Sequence, residues 1–252
     1  MNFSQLDFGI FAIKFYGFFV ALAFFIAAWH FYKEIQKQNL STDFFVHHFW
    51  KWIVSAIFVG RIISILSDLT IFNRSGIFSF FTFWDGGISF WGISLGFISA
   101  AIFDLRIHKE NFAKWGDSAI SSIIIGLLIL DIAGFITGAI YGKETSMIWG
   151  ISYETFDVDL LKPIHPVTIY AAIAHFWILR RIQKRKNAWG KIPGKIFFYG
   201  IFLIFMTDFF TQFFRGDPGI HFFEIFRISA FFDIIIMISL LIFMKKNKLL
   251  GK

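Results

Sequence analysis

Among the ionisable side chains inside long apolar stretches of this sequence are Arg61, Asp131 and Asp208. A charged group near the centre of a bilayer costs at least about 2.5–3.5 kcal/mol on insertion scales, so such residues are functional candidates by default. Two interpretations stay open at this point. The charges, with Lys14 as a further cation, could form structural ion pairs, or they could line a polar cavity open to lipid or to the outside.

Other chemical candidates lie where apolar stretches end. His165 stands between two prolines, and a histidine on such a stiff turn is either an interfacial hydrogen-bonding group or a catalyst. Asp85 precedes the pair Gly86-Gly87, whose backbone turns freely and lets a ligand approach, although an aspartate there could equally cap a helix. Arg215 is a further cation at a span end, and Tyr16 is an interface anchor by default.

The composition requires that these side chains be positioned by membrane helices. The chain has 252 residues, 57% of them hydrophobic and 39 of them Phe, with a mean hydropathy of +0.66. Only 16% are charged, against about 25% in a soluble domain, which excludes that class. We expect residues 1–252 to form a single polytopic membrane domain. The chain has no Cys, so any thiol in its chemistry comes from a substrate.

A spanning helix needs about 20 mostly apolar residues, and seven stretches qualify. They are 10–31, 52–71, 88–104, 118–141, 166–180, 196–214 and 228–244. The sequence therefore predicts an all-α integral membrane protein with about seven transmembrane helices.

The basic residues predict the orientation of these spans. Segments 32–51, 105–117, 180–195 and 245–252 hold 3, 3, 7 and 4 Lys and Arg, which is 17 of the 24. The positive-inside rule places that side, and the C-terminus, in the cytoplasm, and seven spans then place the N-terminus outside. The polar loop 142–165 is external in this topology. The net charge of +7 is thus topological, with membrane lipids rather than nucleic acid as its partners.

We expect no metal site and no cofactor. His47 and His48 are adjacent in sequence on the predicted cytoplasmic side, and no set of His and Glu stands at the spacing of metal ligands.

Short motifs then follow one another in an order that resembles a known family. They are Lys14-Phe15-Tyr16-Gly17, Gly60-Arg61, Trp84-Asp85-Gly86-Gly87-Ile88-Ser89-Phe90, Asp117, Phe135-Ile136 with Gly138, Tyr141-Gly142, Trp149-Gly150, His165-Pro166 with Tyr170, and Phe213-Phe214-Arg215 with Asp217-Pro218. Together, on seven spans, they resemble bacterial prolipoprotein diacylglyceryl transferase over about residues 8–244.

The resemblance implies a multi-pass enzyme of the bacterial inner membrane. The family transfers diacylglycerol from phosphatidylglycerol to the Cys thiol of a prolipoprotein signal peptide, with a thioether as product. The chemistry needs cations for the phosphate, and a proton acceptor because the thiolate is the nucleophile. In this chain the resemblance assigns His165 and Tyr16 to catalysis, and phosphate or substrate binding to the remaining retained residues: Arg61, Arg215, Asp85, Gly86 and Gly87.

The chain departs from the family pattern at several polar positions. The family's Arg stands as Asp131 in the fourth span and as Asp208 in the sixth. Other family polar residues, among them His, Asn and Glu, are replaced at Trp91, Gly134, Thr137, Ala139 and Gln212. Two ionised aspartates in place of arginines would weaken the binding of an anionic lipid, whereas protonated ones would remove the cations without repulsion.

Three functions are therefore open from the sequence. The first is the transferase of the family. The second is a catalytically inactive or re-purposed relative that binds lipid or a lipoprotein partner. The third is a proton or ion pathway through Asp131 and Asp208. If ionised, these aspartates are expected to pair with Arg61 or Lys14; if protonated, to hydrogen-bond to Thr207, Thr211 or a backbone carbonyl.

Overall fold

A computed structural model describes residues 5–7, 12–67, 76–80, 89–155, 158–217, 221–222 and 226–250. Within them lie seven long helices: α1 Phe15–Lys37, α2 Thr42–Ser67, α3 Phe90–Ile107, α4 Phe112–Thr137, α5 Val167–Trp189, α6 Lys195–Gln212 and α7 Ile228–Lys246. A short 3₁₀ helix occupies Gly76–Phe80. Three two-stranded antiparallel sheets pair β1 Gln5–Asp7 with β2 Ala12–Lys14, β3 Ile151–Thr155 with β4 Val158–Ile164, and β5 His221–Phe222 with β6 Phe226–Arg227.

The seven helices coincide with the seven predicted spans, which confirms an all-α, multi-pass membrane protein. Among the described residues, five helices are long and apolar enough to cross a membrane: Tyr16–Lys37, Thr42–Ser67, Phe112–Thr137, Lys195–Gln212 and Ile228–Lys246. Large apolar side chains on their outer faces are exposed, as expected for contact with lipid; Phe25 is 70% and Phe231 64% exposed. The helix ends differ from the expected spans, and α1 continues to Lys37 rather than ending at residue 31.

Local signals explain where several helices begin and end. The Ser41 hydroxyl accepts a hydrogen bond from the Phe44 amide at 3.1 Å, which caps the start of α2. The Ser89 hydroxyl accepts from the Gly92 amide and caps α3 in the same way. Gly138 follows the last residue of α4 with φ at 68°, the left-handed conformation that closes many helices.

The chain forms two compact units, and the first, Ile35–Phe112, holds α2 and α3. These helices approach closely through glycine. A Cβ on Gly92 would lie 2.6 Å from the Gly60 Cα, and one on Gly96 would lie 2.5 Å from the Ser55 carbonyl oxygen. The Ser89 amide also donates to the Gly60 carbonyl at 3.0 Å. Two motifs that are far apart in the sequence thus meet at the start of α3.

The second unit combines Met1–Glu34 with Ala113–Lys252. Its apolar core is a cluster of isoleucines contributed by α4, α5 and α6: Ile120, Ile124, Ile178, Ile182 and Ile196. The His30 ring shares a 2.8 Å hydrogen bond with Ser122, which joins α1 to α4. Lys186 pairs with the buried Glu34, which joins α5 to α1. That residues 1–252 act as one membrane domain stays a prediction.

Asp117 positions the start of α6 from α4. Its carboxylate accepts hydrogen bonds from the Gly194 amide at 2.6 Å and from the Phe197 amide at 2.8 Å. The first amides of a helix have no partner within the helix and carry its positive dipole end, so a carboxylate stabilises that end doubly. Asp117, one of the matched motif residues, therefore has a structural role in this fold.

Candidate functional site

Three short backbone segments of the second unit run side by side and bring the motif residues of the polar loops together. The Lys143 amide donates to the Phe214 carbonyl at 2.7 Å, and the Gly216 amide to the Tyr141 carbonyl at 2.9 Å. On the other side of segment 141–143, the His165 amide donates to the Lys143 carbonyl at 2.9 Å. His165 and Arg215 therefore lie on segments that flank the same short stretch.

Glycine is required at two points of this arrangement. A Cβ on Gly142 would lie 2.2 Å from the His165 carbonyl oxygen, and one on Gly216 would lie 2.4 Å from the Gly142 carbonyl oxygen. Neither atom can move without shifting the backbone itself. The motif glycine at 142 is thus a condition for holding His165 close to the Arg215 segment.

His165 is half-buried and is oriented by a chain of hydrogen bonds. Its Nδ1 lies 3.2 Å from the Tyr170 hydroxyl oxygen, which also accepts from the Trp149 indole N–H at 2.8 Å. The Phe214 ring packs edge-on against the imidazole, with centroids 5.2 Å apart. Because indole can only donate, the Tyr170 proton is free to point at His165 Nδ1, which would place the histidine proton on Nε2.

Arg215 is held by a carboxylate two residues further on. Its Nε and Nη2 donate to the two oxygens of Asp217 at 2.9 and 2.7 Å, a bidentate pair. Arg227 lies on the other side, where its guanidinium donates to the Asp217 carboxylate and to the Asp217 backbone carbonyl. Two guanidinium groups therefore surround one carboxylate, and the cluster keeps a net positive charge.

The charges of this cluster act on one another. The hydrogen bond to Asp217 raises the pKa of Arg215, with further contributions from Asp217, Asp208 and Tyr16 that exceed the opposing effect of burial. Burial works to raise the pKa of Asp217, but Arg215 and then Arg227 outweigh it and hold that pKa below its usual range. Arg215 and Asp217 are therefore both ionised at neutral pH.

Tyr16 stands at the start of α1 and is coupled to the same cluster. The charges of Asp131 and Arg215 both act on its hydroxyl. Tyr16 and Arg215 thus interact electrostatically, while His165 and Arg215 lie on segments that flank the same stretch of backbone. Their roles remain predictions.

Asp131 has a partner that the sequence analysis did not name. Its carboxylate lies 2.7 Å from His175 Nδ1, and the two side chains are only 15% and 8% exposed. The expected partners were Arg61, which belongs to the other unit, and Lys14, whose side chain lies outside the described residues. His175 stands inside the fifth span, so the rule that selected Asp131 would have selected it as well.

Asp208 accepts a hydrogen bond from the side-chain amide of Gln212 at 3.2 Å, one helical turn further on. The expected threonines bond to the helix backbone instead: Thr207 donates to the Leu203 carbonyl, and Thr211 to the carbonyl of Asp208. The charge of Asp208 also reaches Asp233, a residue of α7 that is 2% exposed. Asp233 and Arg227 are further polar residues of this region that the sequence analysis missed.

The remaining candidates belong to the first unit or lie outside the described residues. Arg61 is buried in α2, 1% exposed, beside the Gly60 and Gly92 contact of the first unit. Asp85, Gly86 and Gly87 lie outside the described residues, as does the side chain of Trp91.

The altered positions at the end of α4 have local structural roles. A Cβ on Gly134 would lie 3.0 Å from the Thr168 methyl group, so a side chain there would press on α5. The Thr137 hydroxyl donates to the Ala133 carbonyl at 2.8 Å, and the Ala139 amide lies 3.4 Å from it. These residues close the helix and supply no charge.

The described residues also include a group with metal-ligand chemistry in the first unit. His48, Asp104 and His108 offer ligand atoms that all lie within 4.8 Å of one another. Asp104 and His108 are four residues apart, but His48 precedes Asp104 by 56 positions, so the sequence alone did not bring the three together.

Comparisons with known proteins all point to one family. A family model described as prolipoprotein diacylglyceryl transferase matches residues 4–245. Three similar proteins all carry the name phosphatidylglycerol–prolipoprotein diacylglyceryl transferase. The protein from Wolbachia pipientis subsp. Culex pipiens is 26% identical over 222 residues, covering 84% of this chain and 83% of the relative. The protein from Geobacter sulfurreducens is 28% identical over 225 residues, covering 84% and 85%. The protein from Rickettsia rickettsii is 32% identical over 186 residues, covering 69% and 67%.

Proposed function

The chain belongs to the prolipoprotein diacylglyceryl transferase family, and we propose that it catalyses the transfer of diacylglycerol from phosphatidylglycerol to the Cys thiol of a prolipoprotein signal peptide. In this reaction the thiol loses its proton, and the thiolate sulfur attacks the carbon of the diacylated glycerol that bears the phosphate. The carbon–sulfur bond of a thioether forms, the carbon–oxygen bond breaks, and glycerol 1-phosphate leaves with the electron pair; its phosphate can take up the proton that the thiol released. The chain itself has no Cys, which fits a thiol brought by the substrate.

The observation that carries the proposal is the pair of guanidinium groups around Asp217. Negative charge on the phosphate grows as the carbon–oxygen bond breaks, so cations held in advance at that position stabilise the transition state. Asp217 fixes Arg215 through two hydrogen bonds, at 2.9 and 2.7 Å. Because Arg227 contributes a second positive charge, the phosphate still meets a net cation.

This loop cluster supplies positive charge that the spans lack at 131 and 208. Asp131 is bound to His175, and Asp208 to Gln212, so both carboxylates have hydrogen-bond donors within the unit. We infer that the lipid phosphate sits on the side of Arg215 and Arg227 rather than between the spans. Phosphatidylglycerol then approaches the site from the same end of the helices as His165.

We infer that His165 donates a hydrogen bond to the phosphate. With Nδ1 facing the Tyr170 hydroxyl, Nε2 carries the proton of the neutral ring and is a hydrogen-bond donor for the phosphate or leaving oxygen. A histidine at such a site could be a base or a phosphate donor, and the Trp149 to Tyr170 hydrogen bond favours the donor. Tyr16 would add a hydroxyl donor from α1.

Membership of the family supports a proposal for the membrane, the orientation and the substrates of this protein. The protein is a multi-pass membrane protein, and we propose that it resides in the bacterial inner membrane with its N-terminus outside and loop 142–165 facing the periplasm. Its partners would then be phosphatidylglycerol and the signal peptides of prolipoproteins.

The test combines complementation with a direct assay. A strain depleted of its own transferase should grow when this chain is expressed. Purified protein in phosphatidylglycerol vesicles should attach diacylglycerol to a lipobox peptide and release glycerol 1-phosphate. An intact, membrane-inserted protein that fails in both experiments would instead be a relative that binds lipid or lipoprotein without catalysis.

A further inference from the structure

Helices α2 and α3 of the first unit lie antiparallel along one another. Gly92 at the start of α3 meets Gly60 near the end of α2, and Gly96 meets Ala56. At the opposite end, the Phe44 ring contacts the His108 ring with centroids 5.2 Å apart. Side chains at the start of α2 therefore face those at the end of α3.

Three side chains with metal-ligand chemistry meet at that end. His48 comes from α2, Asp104 lies in the last turns of α3, and His108 caps α3. Asp104 and His108 are four residues apart, a spacing that places two side chains on one helix face. One ligand atom from each of the three lies within 4.8 Å of the others.

The helix backbone orients both imidazoles in the same manner. His48 Nδ1 lies 2.8 Å from the Phe44 carbonyl oxygen, and His108 Nδ1 lies 2.9 Å from the Asp104 carbonyl oxygen. Since a carbonyl oxygen only accepts, Nδ1 carries the proton in each ring and Nε2 keeps a free lone pair. Histidines that bind metals are held in this way, with the other ring N–H donated to a carbonyl or carboxylate.

Asp104 has the matching arrangement for a carboxylate ligand. It is buried, and one oxygen accepts from the Trp52 indole N–H at 2.7 Å. In the part of the chain that the structure describes, no ion pair joins its carboxylate to either histidine ring, although they face each other. A buried carboxylate needs a cation or several donors, and a single neutral N–H supplies neither.

We propose that His48, Asp104 and His108 bind one divalent transition-metal ion, with zinc as the preferred ion. Two imidazole nitrogens and one carboxylate oxygen form a set that zinc takes in proteins, with a fourth position for water. Zinc bonds of about 2.0–2.1 Å place tetrahedral ligand atoms roughly 3.3 Å apart. Side-chain rotations that move the ligand atoms by about an ångström would therefore close the site. The ion would fasten the start of α2 to the end of α3, independently of the transferase chemistry of the second unit.

The experiment measures metal binding by the full-length protein in detergent, with no polyhistidine tag and after treatment with a chelator. Titration with zinc chloride should show one ion bound per chain, and zinc should raise the melting temperature. Cobalt(II) should give the visible absorption bands of a four-coordinate site. His108→Ala and His48→Ala should each weaken zinc binding at least about 100-fold, more than the loss of an outer partner does. His108 is exposed, so its removal leaves the fold intact.

His47→Ala is the matched control. His47 is the neighbour of His48 on α2 and also bonds to a backbone carbonyl, but it does not belong to the cluster. Its removal should leave zinc affinity within about threefold of the original, which is under 1 kcal/mol. Asp104→Asn, which keeps an acceptor for Trp52, should weaken binding as the histidine variants do. Zinc binding weaker than about 10 μM in the original protein, or equally tight in His48→Ala and His108→Ala, would overturn the proposal.

Discussion

His175 Nδ1 and a carboxylate oxygen of Asp131 lie 2.7 Å apart between α5 and α4, with both side chains largely buried. Asp131, which the resemblance aligns with a family arginine, thus has a hydrogen-bond partner of its own. An arginine at 131 would replace this anionic acceptor with a cation beside His175. The two positions must therefore be treated as a pair when the charge of the spans is altered.

Asp208 is the simpler position at which to restore positive charge, because its described hydrogen bond is to the flexible Gln212 side chain. Its charge acts on Arg215. We expect Asp208→Arg to raise phosphatidylglycerol binding at least about tenfold, since one charge pair at 4 Å is worth about 4 kcal/mol at an effective dielectric of 20. The double change Asp131→Arg with Asp208→Arg should raise it further if the protein remains folded.

Vesicle binding measures this effect, with Asp43→Arg as the control for charge alone, since Asp43 is exposed at the start of α2. Equal or weaker lipid binding by the Asp208 variant would mean that the carboxylates of the spans do not influence the lipid site.

The orientation of His165 by Tyr170 can be tested through turnover. His165→Ala should lower kcat by about 10²-fold or more, the usual contribution of a positioned proton donor. Tyr170→Phe removes the hydroxyl that faces Nδ1 and should lower kcat less, by roughly tenfold, with KM nearly unchanged.

Tyr199→Phe is the matched control, because the Tyr199 ring packs on Trp189 away from this chain of hydrogen bonds. If Tyr170→Phe behaves like Tyr199→Phe, the hydrogen bond to His165 has no part in catalysis.

Gly142 should be intolerant of even one methyl group. Because its Cβ would lie 2.2 Å from the His165 carbonyl oxygen, Gly142→Ala must displace the backbone that carries His165. We expect a destabilisation of about 1–3 kcal/mol and the loss of most activity. Gly17→Ala, where a Cβ meets nothing within 4 Å, should be neutral or slightly stabilising in thermal unfolding. Similar activity in both variants would contradict the close approach of these segments.

The ion-pair cluster of Arg215, Asp217 and Arg227, which we call the clamp, should lose its stabilising effect only at acidic pH. The folded-state pKa of Asp217 lies below its ordinary value, so its contribution to stability is fully present above about pH 4 and is lost as pH falls through the lower folded value. Asp217→Asn should imitate this loss at neutral pH and cost about 1–3 kcal/mol, because Arg215 and Arg227 lose an ionised acceptor.

Hydrogen exchange of the Lys143 and Gly216 amides measures the result, since both bond across the neighbouring segments. The protection factors of these amides in Asp217→Asn should match those of the original protein at low pH. They should change little further between pH 7 and pH 3. A variant that keeps full protection at neutral pH would show that the clamp does not hold the segments.

The topology is open to a reporter test. The concentration of Lys and Arg in four segments predicts a cytoplasmic C-terminus. A reporter active only in the periplasm should be inactive when fused after Lys252 and active when inserted beside Ser146 in the external loop. Activity at Lys252 would reverse the proposed orientation.

The helices were predictable because apolar runs of this length have few alternatives in a membrane protein. The pairings were not, since which polar groups meet depends on helix rotation and depth. His175 and Asp233 also stand inside apolar stretches, but their neighbours on other helices could not be inferred from the sequence. Asp117 was a motif residue, and the sequence could not show that it caps a helix almost 80 residues away. The group of His48, Asp104 and His108 depends on the antiparallel contact of α2 and α3, which only the fold reveals.

The carboxylate of Asp117 also helps to set the depth of α6 in the membrane. It fixes one end of α6 at Gly194 and Phe197. The 18 residues of Lys195–Gln212 form a rod of about 27 Å, close to the roughly 30 Å of the hydrocarbon layer. Anchoring the near end therefore sets the height at which Arg215 emerges at the far end. Asp117 therefore helps to set the depth of Arg215, which we propose to bind the lipid phosphate.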